Sequence, residues 1–189
     1  MAQEIRAMPE EMDPELWRGF KSPTPAWQGR VAAIFVTPES SGEMVSLPAV
    51  RVFADRGLEG DRFFRDSWNA VNRSDKAVSL VEDEVLQLAA EELGRESIAD
   101  KTRRNIVTRG VPLLELLHRE FVIGGVRMRG IRLFEPCGHL VKVSKLPGIF
   151  KALDHRSGLK AAILSDGVIS VGDQIALHPD AETAAAQMG

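Results

Sequence analysis

Two adjacent glycines, Gly124-Gly125, separate Phe121-Val122-Ile123 from Val126-Arg127-Met128-Arg129. A two-residue loop between two such runs needs positive φ at its central positions, which glycine supplies without strain. The stretch predicts a tight β-hairpin, and it constrains the fold more than any other feature of the chain. Ser165-Asp166-Gly167 is a second signal of this kind, lying between Leu159 to Leu164 and Val168 to Leu177. Further strands are expected at Gly29 to Val36, Ala77 to Val81 and Asn105 to Thr108, and at Val45 to Phe53, where Pro48 implies an edge or a bulge. One clear helix is expected, Glu82 to Leu93, with Val85, Leu86, Leu88, Ala89 and Leu93 as its apolar stripe and Gly94 as its stop. Gly110 and Pro112 open a short helical turn through Leu117. Many short strands, glycine turns and few helices predict a mainly β fold with helices (α+β), centred on a closed or nearly closed β-barrel.

At 189 residues the chain suits one domain that buries about 70% of its unfolded surface. Residues 1–28 read as a peripheral segment, with a short helix around Glu15 to Phe20 broken by Pro23 and Pro25. Residues 29–178 read as the domain, and 179–189 as a frayed tail. A long loop is expected over 55–75, where Gly57, Gly60, Asn69, Asn72 and Ser74 interrupt any periodicity. A formal charge of −3 gives no global attraction to nucleic acid or to acidic membranes. No stretch approaches the roughly 18 apolar residues of a membrane span. The acidic, apolar-poor start does not read as a secretory signal, so the expected compartment is the cytoplasm.

The single cysteine excludes an internal disulfide and a cysteine-rich zinc site. Cys137 stands in Glu135-Pro136-Cys137-Gly138-His139, straight after a strand-like run. A thiolate is a strong nucleophile and a soft metal ligand, and His139, two residues on, could stabilise it. The competing reading is a small buried hydrophobe. Gly57-Leu58-Glu59-Gly60-Asp61-Arg62 is a loop whose glycines let backbone N–H groups converge beside fixed charge; an ordinary turn with a surface ion pair is the alternative. In Lys101-Thr102-Arg103-Arg104-Asn105, strand alternation sends one arginine inward, and Arg104 is the expected one, suited to an oxyanion. Arg127 and Arg129 share one strand face, which equally fits the wet side of a half-buried sheet. His155 and Arg156 precede a glycine-started strand, a position suited to the mouth of a barrel. A metal site from His139 and His155 has no geometry fixed by sequence.

Taken together, several blocks resemble the MOSC domain, named for the C-terminal region of molybdenum cofactor sulfurases. They are Gly57 to Asp61, Arg103 to Val111, Gly124-Gly125-Val126, Glu135 to Leu140, His155 to Leu159 and Val171-Gly172-Asp173. The likeness runs from about residue 29 to 178 and is to a stand-alone bacterial-type member. It implies a barrel-centred, pyruvate-kinase-barrel-like fold with a pocket around the family's cysteine, here Cys137. In the family that cysteine ligates the molybdenum of the pterin cofactor (molybdopterin) or carries sulfur as a persulfide. Molybdenum-dependent members reduce N-hydroxylated compounds, some of them purine bases. The resemblance thus implies a possible oxidoreductase with Cys137 as metal ligand, and Gly60, Asp61, Arg104, Asn105, His139 and Arg156 as cofactor-binding residues. The other class of function is a sulfur carrier without turnover of its own. A separate electron-donor reductase or sulfur donor is the implied partner, beside a small-molecule substrate. Pyridoxal phosphate is not expected to bind this domain. Many short bacterial relatives have a histidine after the Gly-Asp pair, whereas Arg62-Phe63-Phe64 follows here.

Overall fold

The computed structural model describes residues 27–64 and 78–179. The expected helix near Glu15 to Phe20, the far part of the loop over 55–75 and the tail from Asp180 lie outside the described residues. The described residues form eleven strands: β1 (Gly29–Val36), β2 (Val45–Leu47), β3 (Ala49–Phe53), β4 (Gly57–Leu58), β5 (Val78–Glu82), β6 (Ile106–Arg109), β7 (Glu120–Ile123), β8 (Val126–Leu133), β9 (Leu159–Ile163), β10 (Gly167–Ser170) and β11 (Gln174–Leu177). Among the same residues three α-helices join them: α1 (Asp83–Glu92), α2 (Gly138–Ser144) and α3 (Ile149–Leu153). Among the described residues no helix is long and apolar enough to cross a membrane.

Seven strands run in the order β11-β7-β8-β9-β5-β6-β1, and β11 pairs back onto β1 to close a barrel. β5 and β6 are parallel, and the other barrel pairs are antiparallel. Closure removes exposed sheet edges, the usual liability of β structure. Alternate residues fill the interior: Val31, Ile34, Leu80, Ile106, Phe121, Ile123, Met128, Leu159, Ala161 and Ile175 belong to one buried cluster. The hairpin forms as expected, with Ile123 opposite Val126 and both Gly124 and Gly125 at positive φ (56° and 98°).

A second apolar cluster lies on the outer face of the barrel. Val81 and Val107 point outward there and meet Leu86, Ala89 and Ala90 of α1, Leu140 of α2, and Ile149, Ala152 and Leu153 of α3. Glu82 and Leu93 cap α1 at the expected limits, but Leu88 is exposed because it flanks the stripe that buries Leu86 and Ala89. Pro48 marks a change of sheet: β2 extends the barrel sheet beside β1, while β3 joins β10 and β4 in a separate three-stranded sheet.

The second hairpin does not form. β9 pairs with β5 and β8, whereas β10 leaves the barrel to pair with β3, Ile169 opposite Val50. Asp166 holds the crossing by accepting a hydrogen bond from the Ala54 N–H at 2.7 Å. Turn residues fix where a chain reverses, not which strand it meets next.

Candidate functional site

The chain after β8 turns through Glu135-Pro136-Cys137 into α2, whose N-cap is Cys137 in extended backbone (φ −138°). The Cys137 thiol is exposed, not sealed in the core. It opens on a cavity of about 220 Å³ lined by Asp61, Arg62, Phe63, Ser79, Arg103, Arg104, Asn105, Arg132, Phe134, Cys137, His139, Leu140 and Lys160. This cavity lies between the outer face of the barrel and α2, not at a barrel mouth. Ser79 and Lys160 alternate with the interior residues Leu80 and Leu159, and so face out of the barrel.

Asp61 and Asn105 form the scaffold of one wall. Asp61 is buried, and its Oδ2 accepts from the Thr37 N–H at 2.9 Å and from Asn105 Nδ2 at 3.2 Å. Its Oδ1 accepts from the Phe63 N–H at 3.0 Å. Asn105 Nδ2 also donates to the Phe35 carbonyl, while its Oδ1 accepts from the Ser79 N–H and hydroxyl. Gly60, at φ 81°, provides the turn that delivers Asp61 and does not itself line the cavity. Asp61→Ala is therefore expected to cost about 2–3 kcal/mol of folding stability by stranding buried donors, read as a lower denaturant midpoint. An unchanged midpoint would show that the carboxylate is dispensable to the wall.

Arg103 and Arg104 precede β6 in a turn and both line the cavity, so strand alternation does not separate them; Arg104 is the buried one, and most of the donors of the pair are engaged. Arg104 is 2% exposed and donates through Nε to the Ser157 carbonyl (2.7 Å), through Nη1 to the Thr102 carbonyl (2.9 Å), and through Nη2 to the Phe134 carbonyl (3.1 Å) and the Ser157 hydroxyl. Burial pulls its guanidinium down to about 9, opposed by Cys137 and Glu135. Arg103 sits at φ 62° and donates to the Gly42 and Ser40 carbonyls at 2.6 and 2.8 Å, while its buried Nε has no hydrogen-bond partner. Burial lowers the Arg103 guanidinium, as does nearby Arg62, with Asp61 opposing.

Arg156 is not brought to the cavity. It donates to both oxygens of Glu92 at 2.7 Å and to the Ala152 carbonyl at 2.8 Å, and lines a separate groove with His155, Glu82 and Leu133. His139 lines the Cys137 cavity and His155 that groove, so the two histidines do not share a site. Arg127 and Arg129 take the wet face, both paired to Glu120.

Three cavity residues escape sequence reasoning, Ser79, Phe134 and Lys160, while Arg132 is legible only as positive charge on the hairpin that delivers Cys137. A bulge between Gly130 and Arg132 shifts the register of β8. Without it Arg132 would point into the barrel; with it Arg132 lies beside Lys160 on the outer face. Lys160 Nζ and Arg104 Cζ lie 4.0 and 3.8 Å from the Phe134 ring centroid, with Arg132 Cζ at 6.0 Å. One legible signal existed, a lone lysine inside the apolar run Leu159 to Leu164.

The sequence profile of the MOSC domain matches residues 54–176, more than half of the chain. The fold is similar to that of the YUAD protein from Bacillus subtilis, with TM-score 0.66 and 16% identity over 80% of this chain and 98% of that one. It is similar also to YiiM from Geobacillus stearothermophilus (TM-score 0.60, 20% identity, 79% of this chain and 75% of that one). YiiM from Escherichia coli gives TM-score 0.60 and 16% identity over 85% and 79%. No curated protein matches the sequence. At these identities the structural likenesses establish the fold, and the profile match establishes the family, one commonly associated with molybdenum cofactor binding. With its closed barrel and with Cys137 at the rim of an outer-face cavity, the chain belongs to the MOSC domain family.

Proposed function

We propose that this chain binds molybdenum cofactor in the Cys137 cavity and, so loaded, reduces N-hydroxylated compounds. The observation that carries the reading is the cavity wall, where an exposed thiol stands among Arg62, Arg103, Arg104, Arg132 and Lys160, with Asp61 as the carboxylate. The donor set fits the group. A thiolate is a soft ligand suited to molybdenum, and an excess of fixed cations suits a phosphorylated, anionic pterin. The buried, unpartnered Nε of Arg103 in the same wall is a further donor of the kind an anion would satisfy.

Bound there, the cofactor would supply two-electron oxygen-removal chemistry, refilled by a separate reductase. Each turnover consumes two electrons and two protons, breaks one N–O bond and releases water. Cys137 would hold the metal, fixed between Pro136 and the first turn of α2. Asp61 and Asn105 keep the facing wall rigid, and preorganisation of this kind limits the ordering cost of binding. Phe63, Phe134 and Leu140 give the cavity apolar wall, which would displace water from a bound group and strengthen its charge interactions. His139 would donate a hydrogen bond to the bound group.

The test is reconstitution with the cofactor, metal analysis, and an assay with an artificial electron donor and an N-hydroxylated purine. Stoichiometric molybdenum and conversion to the amine are expected with loaded protein and neither with apo-protein. Verified holo-protein that reduces no N-hydroxylated substrate would overturn the reductase reading. A Cys137 persulfide without metal would favour the sulfur carrier, to which the exposure of this thiol is equally suited.

A further inference from the structure

Outside the Cys137 cavity, Glu135, Asp154 and His155 bring one ligand atom each to within 4.8 Å of one another. The imidazole stands between the carboxylates, its Nδ1 3.7 Å from Glu135 Oε1 and its Nε2 3.8 Å from Asp154 Oδ2. Among the described residues it is the sole salt-bridge partner of either acid. Arg156, next in the chain, is committed to Glu92 instead. Two carboxylates gathered round one imidazole concentrate negative charge, which a cation relieves.

The three residues come from two turns. Glu135 follows β8, and its Oε2 accepts from the His155 N–H at 3.0 Å. Asp154 ends α3, and His155 follows it before β9. The stretch from 135 to 154 carries Cys137, α2 and α3. From inside, Arg104 ties the same two turns through the Phe134 and Ser157 carbonyls. Outside, Glu135 and His155 line a groove of about 240 Å³ together with Glu82, Leu113 and Leu133. Three protein donors leave coordination positions open, and the groove has room for the water or small ligand that completes the shell.

One imidazole nitrogen with two carboxylates suits zinc and its neighbours, whereas calcium and magnesium take oxygen donors. Metal bonds of about 2.1 Å would set the donors about 3–3.5 Å apart. The His155, Glu135 and Asp154 side chains are 87%, 46% and 45% exposed, so rotamer changes close that gap without disturbing the core.

We propose that Glu135, Asp154 and His155 bind a divalent transition-metal ion, with zinc the expected one, as a clip across the segment that carries Cys137. None of the three lines the Cys137 cavity, so the site is independent of what the thiol holds. Closing the loop from 135 to 154 joins both turns only in the folded chain, and occupancy therefore stabilises it.

Titration of the apo-protein with zinc against a chromophoric chelator tests this, with a melting curve at each metal level. One equivalent should bind, survive a large excess of magnesium, and raise the melting temperature by about 5 °C at saturation. The same equivalent should bind after Cys137 has been alkylated. His155→Asn keeps a residue that tolerates the backbone φ of 58° but removes the imidazole. It should weaken binding at least about 10-fold and lose most of the thermal shift, as should Glu135→Gln and Asp154→Asn. Melting of each variant without metal shows that it folds. Binding that alkylation abolishes overturns the assignment, because the ion then sits on the thiol. Affinity unmoved by His155→Asn overturns it too, as does no binding at micromolar zinc. Stoichiometric binding with no rise in melting temperature would leave an ion that does not clip the segment, against the proposal.

Discussion

Cys137→Ser is expected to abolish molybdenum retention and N-hydroxyl reduction while leaving the apo-protein's melting temperature within about 2–4 °C of wild type. The asymmetry follows from where the sulfur sits. The side chain is exposed, so its loss removes little buried apolar surface and leaves no core cavity. Its backbone is extended (φ −138°), a conformation that serine adopts freely, and serine is the better N-cap. The Cys137 carbonyl still accepts from the Val141 N–H, so α2 keeps its first turn. What changes is the donor, since a hydroxyl at neutral pH is neither charged nor soft. Three measurements separate the possibilities: metal content after reconstitution, turnover with an artificial donor, and thermal melting of the apo-protein. Rapid alkylation of native wild type should accompany them, because the thiol is open to solvent. A large drop in melting temperature would make the cysteine structural. Full metal retention in the serine variant would remove it from the ligand set.

The strands were legible because their signal is local. Period-two burial in β7 and the first five residues of β8, and the paired glycines between them, involve neighbours in the chain. Barrel closure was not local. The β1–β11 pairing joins Gly29 to Ile175, and nothing in either segment names the other. The same limit explains the second turn, where Ser165-Asp166-Gly167 reverses the chain but delivers β10 to Val50 rather than to β9. For the site, Cys137, His139, Asp61, Arg104 and Asn105 converge on one cavity, and the motif blocks name them. Arg156 stands apart because the nearest carboxylate pair for its guanidinium is Glu92 at the end of α1. The placement of Arg132 beside Lys160 was hidden because it depends on one bulge in β8, and bulges carry no dependable sequence mark.

Arg104→Met is expected to destabilise the apo-protein by about 3–4 kcal/mol, a loss of roughly 10 °C in melting temperature. The motif that contains Arg104 suggests a ligand-binding arginine, and its geometry gives it a structural task. Four of its five N–H groups reach the Thr102, Phe134 and Ser157 carbonyls and the Ser157 hydroxyl, joining the end of β8, the turn before β9 and the entry to β6. Methionine keeps much of the volume and the contact with Phe134 but strands those buried acceptors, each at about 1–3 kcal/mol. Part of that loss is offset, since a desolvated cation disappears. Arg104→Lys should recover less than half, because one ammonium cannot reach acceptors arrayed around a planar fork. Gly158, at φ 116° and packed against the Leu80 carbonyl, leaves the Ser157 turn little room to follow a shorter partner. Metal retention should fall in the methionine variant as well, since Phe134 and the Cys137 turn lose their tie, so stability must be read on apo-protein. A variant that melts with wild type and loses only ligand binding would return Arg104 to the role its motif implies.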